Sequence, residues 1–561
     1  MMLSVADSFT SIDTQMVDQV PVVAASSSAH QTSGGGYDAI NPRGRRQHGP
    51  STITREDNLL RTGRRTKLNA TSQDLVRNFT LAGWMIRRHL DYVALFDFHS
   101  RLATCQRLAA QYDAEALRGL DAQISRLMAE DSEPSRCDIA GRYGREKMFR
   151  IAEMQRTVGG DMGLLKIEGG WLQGIESDLI RNPRDMDLRS EKHAGNGSPV
   201  EWVEGVRVGT AGRPLSFAIH RRGRGGAGYE LQRIVPADNL IHHGHFTRFA
   251  ADQVRGVSPI VAALNNLRDV YEGFDYALAK MKVSQLFAFA VFSEALESVG
   301  DIDLDADSED GDPDGKKYNV DFGSGPVHLE LDPGDRAEFL ESKTPSTELQ
   351  AFCQLVTGVA IKSLDIPYSF YDESHTNFFG SRAAWLHYER SCIDKRTDQV
   401  TARDNYTRWK LQGWIKSGRL TLPVGMTIED CEWEWVPRGV PWWDASKEIR
   451  GDKEAIAAGF DNPESVCKSR GTGDVYENIR TTCRVIAQTR KIALEELGSE
   501  DAFKLDYAVY PETDRSVSAV EAVQKVYLGV GKVITEDEAR QILNDTAGLA
   551  LPMGVSFAAK Q

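Results

Sequence analysis

The feature that most constrains the fold is one continuous stretch, Ile234 to Phe292. It opens IVPADNLIHHGHFTRFAADQVRGVSPI, which reads as a strand, an irregular histidine-rich turn and a helix start. Ser258 is placed to cap that helix, and Pro259 falls at its first position, where a missing N–H costs nothing. Apolar residues follow at Ile260, Leu264, Leu267, Tyr271, Phe274, Leu278 and Met281, alternately four and three apart. That spacing is one face of a helix. A helix from Ser258 to Phe292 would be roughly 50 Å long at about 1.5 Å per residue. Taken alone, the stripe suits a core helix of a large domain. The terminal run LFAFAVF is too short to span a bilayer.

A chain of 561 residues holds two or more domains and can bury a sizeable core. No segment reads as transmembrane, and MMLSVADSFTS lacks the basic and apolar regions of a signal peptide, so the chain is expected to stay in the cytoplasm where it is made. The seven cysteines (105, 137, 353, 392, 431, 467 and 483) form no CxxC pair, which argues against zinc and for reduced thiols. The net charge of −14 is wrong for a protein that grips DNA, but negative walls suit one that lets DNA slide.

Residues 1–36 are rich in Ser, Thr, Gln and Gly and read as disordered. Residues 40–67 carry Arg43, Arg45, Arg46, Arg55, Arg61, Arg64, Arg65 and Lys67, either a solvated basic arm or a contact with nucleic acid or an acidic neighbouring subunit. Helical patterns, then GLLKIEGG, WLQGIESDLI and the strand pair in EWVEGVRVGTAGRPLSFAIH, make 74–255 an α+β domain. HRRGRGGAGYE (220–230) reads as a hairpin connection. Between Glu294 and Asp314 stand ten acidic residues and no basic one, a solvated excursion. Then come a strand–turn–strand, a helix from Ser346 to Leu364 stopped by Pro367, and the loop SFYDESHTNFFG. A long helix over about 381–416, the extended EWEWVPRGVPWWD and two helical modules follow, the last opened by Thr535 and Glu538 as a capping box.

Several segments in this order resemble the lambda family of tailed-phage portal proteins: YDAINPRGRR, LVRNFTLAG, CDIAGR, LQGIESDLI, GVRVGTAGRPLSF, VPADNLIHHGHFTRFAADQVRGVSP, LELDPGDRAEFLESKTPST, LDIPYSFYDESHTNFFGSRAA and EWEWVPRGVPWWDASKEI. The similarity covers roughly 37–500; the acidic run, the Ser/Gly-rich head and the long C-terminus depart from the pattern. The resemblance implies an α+β subunit of a dodecameric homo-oligomer at one capsid vertex of a virion, assembled in the host cytoplasm. It implies a basic arm and wing (37–257), stem helices (258–288 and 346–367), a clip between them (289–345), a tunnel loop (368–380), a long helix with wing return (381–445) and a helical crown (446–561). The ring would conduct double-stranded DNA in packaging and ejection. It would dock the large terminase and later head-completion or adaptor proteins, and contact major capsid or scaffold protein, with no membrane.

On that placement Ser369, Tyr371, Ser374, His375, Thr376, Asn377 and Phe378 face DNA in the tunnel. Asp301, Asp303, Asp305, Asp307, Asp310 and Asp312 form a negative clip suited to a basic partner. Ile260, Leu264, Leu267, Tyr271, Phe274 and Leu278 would pack between neighbouring subunits, since closed rings need heterologous interfaces. A subunit holding Ile260, Leu264 and Leu267 wholly inside one self-sufficient globule would end the case for the ring.

Other chemistries have weaker signals. DGDPDG begins like a calcium loop but has Asp321 at the twelfth position and Lys316 and Lys317 inside. His242, His243 and His245 read as a turn cluster with no carboxylate ligand in sight. No P-loop Lys-Ser/Thr and no GxSxG elbow occurs. No cofactor, resident metal or catalytic residue is expected. The rival readings are a metal-dependent hydrolase built on the histidines and acidic run, and another capsid structural or scaffold protein.

Overall fold

A computed structural model describes residues 37–40, 53–61, 63–184, 199–223, 228–286, 289–293, 335–339, 347–372, 377–439 and 444–499, with positions 538, 540, 541 and 544. The chain divides into two units, Met1–Arg438 and Gly439–Gln561. The main elements of the first unit, in chain order, are α1 (Arg64–Asn78), α2 (Thr80–Val93), β1 (Phe96–Ser100), α3 (Ala114–Glu130), α4 (Arg145–Gly159), β2 (Asp161–Lys166), β3 (Leu172–Glu176), β4 (Glu201–Val203), β5 (Val206–Val208), β6 (Pro214–Arg222), β7 (Tyr229–Pro236), β8 (Leu240–Gly244), α5 (Leu264–Leu286), β9 (Phe289–Ser293), β10 (Asp335–Phe339), α6 (Thr347–Ile361), α7 (Phe378–Lys416) and β11 (Trp433–Pro437). The α+β class expected from sequence is what forms.

Sequence pattern explains most of these elements. In α2 the buried positions Ala82, Met85, Ile86, His89, Leu90 and Val93 follow helical spacing. Asp113 caps α3, its carboxylate accepting from Glu115 N and Ala116 N at 3.0 Å. Strands β4 to β7 form an antiparallel meander, and β6–β7 is the hairpin read from HRRGRGGAGYE. The pair read over 201–220 is three strands, because Glu204 (φ +46°) and Gly205 (φ +92°) make a tight turn inside EWVEGVRV. Strand β2 lies between β3 and β8. The Trp-rich stretch supplies β11, whose antiparallel partner is β1, more than 300 residues earlier.

Two backbones cross where α4 hands over to β2. A Cβ on Gly160 (φ +90°) would stand 2.7 Å from Gly256 O, and one on Gly256 would stand 2.2 Å from Gly160 O. Both glycines are demanded by this contact. It fixes the segment that leads into α5.

The long helix differs from its sequence reading at both ends. A 3-10 turn, Val261–Ala263, precedes α5, which starts at Leu264 and ends at Leu286. At 23 residues it is about 35 Å long. Within the LFAFAVF run Leu286 ends α5, and Phe289 to Phe292, aromatic and β-branched in the main, belong to β9, paired antiparallel with β10. Ser258 Oγ accepts from Ile260 N at 3.3 Å and donates to Thr157 O at 2.6 Å, so it anchors the approach to α4, but the cap position of the turn is Ile260 and not Ser258.

The stripe itself requires a correction. Ile260, Leu264 and Leu267 are 0% exposed inside this subunit's own core, with Leu68, Leu75, Phe79, Ala360, Ile361 and Tyr388. They are closed to a neighbouring copy. Tyr271 is half-buried against Phe79, while Phe274 and Leu278 stay 47% and 46% exposed. Phe352, Leu355 and Val359, on one face of α6, are 59%, 65% and 56% exposed. Phe379, Leu386 and Ile393, seven apart along α7, are 80%, 50% and 48% exposed. Among the described residues these helical faces stay largely exposed.

The basic arm is also corrected over 53–67. Arg65 is buried in α1 and donates to Gly256 O at 2.6 Å, while Arg55 and Arg61 pair with Glu201 at 3.6 and 3.5 Å. Arg65 is thus part of the core and not of a solvated arm, whereas Arg61 and Lys67 stay exposed. Arg43, Arg45 and Arg46 lie outside the described residues.

The second unit's described helices are α8 (Ala445–Ala457), α9 (Pro463–Arg470) and α10 (Val475–Leu497). Asp444, Asn462 and Asp474 cap their N-termini. Arg470 ties α9 to α8 through Glu448 and Asp452 at 2.9 and 3.1 Å. Thr535 lies outside the described residues.

Candidate functional site: the α6–α7 loop, excursion base and buried polar core

The loop between α6 and α7 is anchored at both ends. On its first half, Phe370 stacks on Tyr92 at 5.8 Å and meets Tyr388 at 5.5 Å between ring centroids. Tyr371 packs edge-on against Trp84 at 6.1 Å. Ser369 sits in a 3-10 turn, half-buried, its Oγ without a partner. On the second half, Asn377 caps α7, its Oδ1 accepting from Gly380 N at 2.6 Å. Helix α7 begins at Phe378, three residues earlier than its sequence pattern suggested. Asn377 and Phe378 are thus parts of a helix start, and Ser369 and Tyr371 belong to the anchored half. Ser374, His375 and Thr376 lie outside the described residues.

The acidic excursion has a defined base. Strands β9 and β10 pair Ser293 directly with Asp335, so the chain leaves and returns at one place. Asp301, Asp303, Asp305, Asp307, Asp310 and Asp312 lie outside the described residues, as does DGDPDG.

Two buried carboxylates organise the body beneath α5 and α7. Asp161, at the start of β2, accepts from Arg255 Nε at 2.6 Å and Nη2 at 2.8 Å, from Ser177 Oγ at 2.6 Å and from Gly256 N at 3.0 Å. Its other neighbour is His242 Nε2 at 3.2 Å. Arg255 spends its remaining N–H groups on Ile180 O, Glu204 O and Ser177 O at 2.8, 2.5 and 2.9 Å. Burial alone would push the Asp161 carboxyl up; Arg255 and then His242 outweigh it and hold it well below the usual range.

Glu153 is the second centre. It accepts from His89 Nε2, His243 Nε2 and Arg156 Nη1, each at 2.9 Å, and from Gln399 Nε2 at 2.8 Å. Arg156 continues to Asp398 on α7 and to Gly244 O at 3.1 Å. Burial raises Glu153, and Arg156 with the two histidines more than reverses it. Burial lowers His89 against the pull of Glu153, and burial with the Arg156 charge lowers His245 to about 4.

This corrects the histidine reading. His242 and His243 sit on strand β8, not in a turn, and each has a carboxylate partner. Arg156 occupies the space between Glu153 and His245 with a fixed positive charge. Among the described residues, no group of three His, Cys, Asp or Glu side chains is placed to hold a metal ion. No described helix is long and apolar enough to cross a membrane. Sequence reading passed over Glu153, although it falls on the inward stripe Met148, Phe149, Ala152, Arg156 of α4, where a carboxylate needs a partner.

Comparison with known proteins decides the family. The pattern described as phage portal protein, lambda family, matches residues 43–396. The chain belongs to the lambda family of phage portal proteins. A relative from Halomonas phage phiHAP-1, described as a probable portal protein, is 25% identical over 378 residues, covering 63% of this chain and 68% of its own. Solved structures titled as the virion of a native gene transfer agent particle and the neck of that particle computed with C12 symmetry each give a TM-score of 0.41, at 13% and 12% identity. Each covers 72% of this chain and 94% of its own. The role is that of a portal protein, a structural component of a phage-type virion.

Proposed function

We propose that this chain is the repeating unit of a closed ring, twelve copies at one capsid vertex, through which double-stranded DNA enters and leaves the head. The family match over 43–396 carries this reading. The exposed apolar faces of α6 and α7 support it, since rows such as Phe352–Leu355–Val359 need a neighbour to cover them. In this reading α5 and α6 are the stem, and Phe274 and Leu278 are what remains of the α5 stripe for contact between copies. The excursion that starts at Ser293 and returns at Asp335 is the clip, where the large terminase docks during filling and head-completion proteins dock afterwards. Its ten acidic residues from Glu294 to Asp314 repeat around the ring as a negative rim that attracts a basic partner surface and repels DNA. The segment 368–380 is the tunnel loop. The ring performs no chemistry of its own.

The test is packaging. Heads assembled with a chain lacking 373–376 should form at normal yield but retain less nuclease-protected DNA. Normal DNA retention would remove the loop from the channel. Normal packaging by heads that lack the chain altogether would remove the conduit.

A further inference from the structure

A cleft of about 210 Å³ lies where α1 meets the 177–184 segment and the β6–β7 hairpin. Arg65 and Asn69 enter it from α1, Arg181 and Arg184 from the 177–184 segment, and His220 from β6. Two of these side chains are deeply buried and incompletely bonded. Arg65 is 6% exposed; its Nη1 donates to Gly256 O, but its Nε and Nη2 have no partner. His220 is 3% exposed, and its Nδ1 has none. A buried guanidinium with two idle N–H groups is costly unless something accepts from them.

The charge balance points the same way. Asp178 and Glu204 also line the cleft. Asp178 is already engaged, its two oxygens accepting from Arg222 at 3.2 and 3.0 Å and one from the Tyr229 hydroxyl at 3.1 Å. Glu204 faces both Arg65 and Arg255. Arg181 is held flat over the Tyr229 ring, 3.6 Å from its centroid, with Nη2 on Thr66 Oγ1 at 3.2 Å. Among the described residues Arg184 is exposed and makes no ion pair. Burial first, and then the Arg181 and Arg184 charges, lower the His220 imidazole.

We propose that this cleft binds a phosphate-class oxyanion, which accepts hydrogen bonds from Arg65, Arg181 and Arg184 and fastens α1 to the 177–184 segment. Forked guanidinium donors suit tetrahedral oxyanions, and the volume leaves room for one with several waters at about 30 Å³ each. The bound ion is a cross-link between segments more than 100 residues apart, so it stabilises the folded subunit by mass action. The site does not depend on ring formation.

The experiment uses the full chain and inorganic phosphate, with chloride at matched ionic strength as the reference. Phosphate should give a saturable heat by calorimetry and a saturable rise in melting temperature that chloride does not give. Arg181→Ala and Arg184→Ala should each weaken phosphate binding by about tenfold, the loss of one charge-assisted hydrogen bond. Arg184 is at the surface, so its variant tests the idea even if Arg181→Ala unfolds. A stabilisation equal to that of chloride, no saturable heat, or an unchanged affinity in Arg184→Ala would overturn the proposal.

Discussion

Replacing Asp161 with Asn removes one charge and almost no volume, and the structure sets how much that should cost. Asp161 and Arg255 are both 0% exposed. The change takes a formal charge out of two guanidinium hydrogen bonds at 2.6 and 2.8 Å. It also swaps one acceptor oxygen for an amide that cannot receive all of the donors from Ser177 Oγ, Gly256 N and His242. Arg255 keeps three carbonyl acceptors, at Ile180, Glu204 and Ser177, so it does not lose all its partners. Breaking a buried pair from one side costs about 3–5 kcal/mol. The retained acceptors put Asp161→Asn near the lower figure, about 3 kcal/mol. That is a large part of the roughly 5–15 kcal/mol by which a folded protein exceeds its unfolded chain. Urea unfolding of the full chain, followed by tryptophan fluorescence, should show the first transition moved to lower urea by that amount. The double variant Asp161→Asn, Arg255→Met should recover part of the loss, because the stranded cation is gone. A loss below about 1 kcal/mol, the size of an ordinary neutral hydrogen bond, would refute the claim that this pair holds the crossing beneath α5.

The remaining predictions bear on pH, assembly and the loop. His89 and His245 bind protons less readily folded than unfolded, so the folded state takes up fewer protons as pH falls from 6.5 toward 4. Stability should therefore be full above pH 6.5 and fall progressively below it, with a further loss as Glu153 and Asp161 protonate; flat melting temperatures between pH 7 and pH 5 would contradict this. Leu355→Asp on the exposed face of α6 should leave melting of the single subunit within about 0.5 kcal/mol and abolish assembly, read by size-exclusion chromatography with light scattering. Leu264→Ala should do the reverse, costing about 2–5 kcal/mol of subunit stability by opening a cavity in its core. Extending the loop deletion from 373–376 to 370–378 should destabilise the subunit as well, since Phe370 and the Asn377 cap are lost; equal melting temperatures for the two deletions would count against the anchoring.

Local signals were legible and distant partners were not. The helical pattern that became α2 and the β6–β7 hairpin both rest on neighbours within a few residues, and each formed where its pattern pointed. The α5 stripe shows why the rest was hidden. Spacing says which face of a helix is buried, not by what, and the answer for Ile260, Leu264 and Leu267 is this subunit's own α1, α2 and α6. His243 finds Glu153 at a separation of 90 residues, and Arg65 finds Gly256 at 191, so neither the carboxylate behind the histidines nor the burial of the basic segment has a local mark. The 286–292 run was ambiguous for a physical reason, since its aromatic residues suit a helix face or a strand, and pairing with β10 decides it. The family was legible because several short segments kept their order along the chain, though each is weak alone.

Electron microscopy of the purified full chain tests the central claim most directly. The account predicts rotationally symmetric particles with an axial opening, which Leu355→Asp disperses into folded single subunits. Monodisperse single subunits under every assembly condition, or closed shells of many copies without an axial opening, would contradict it.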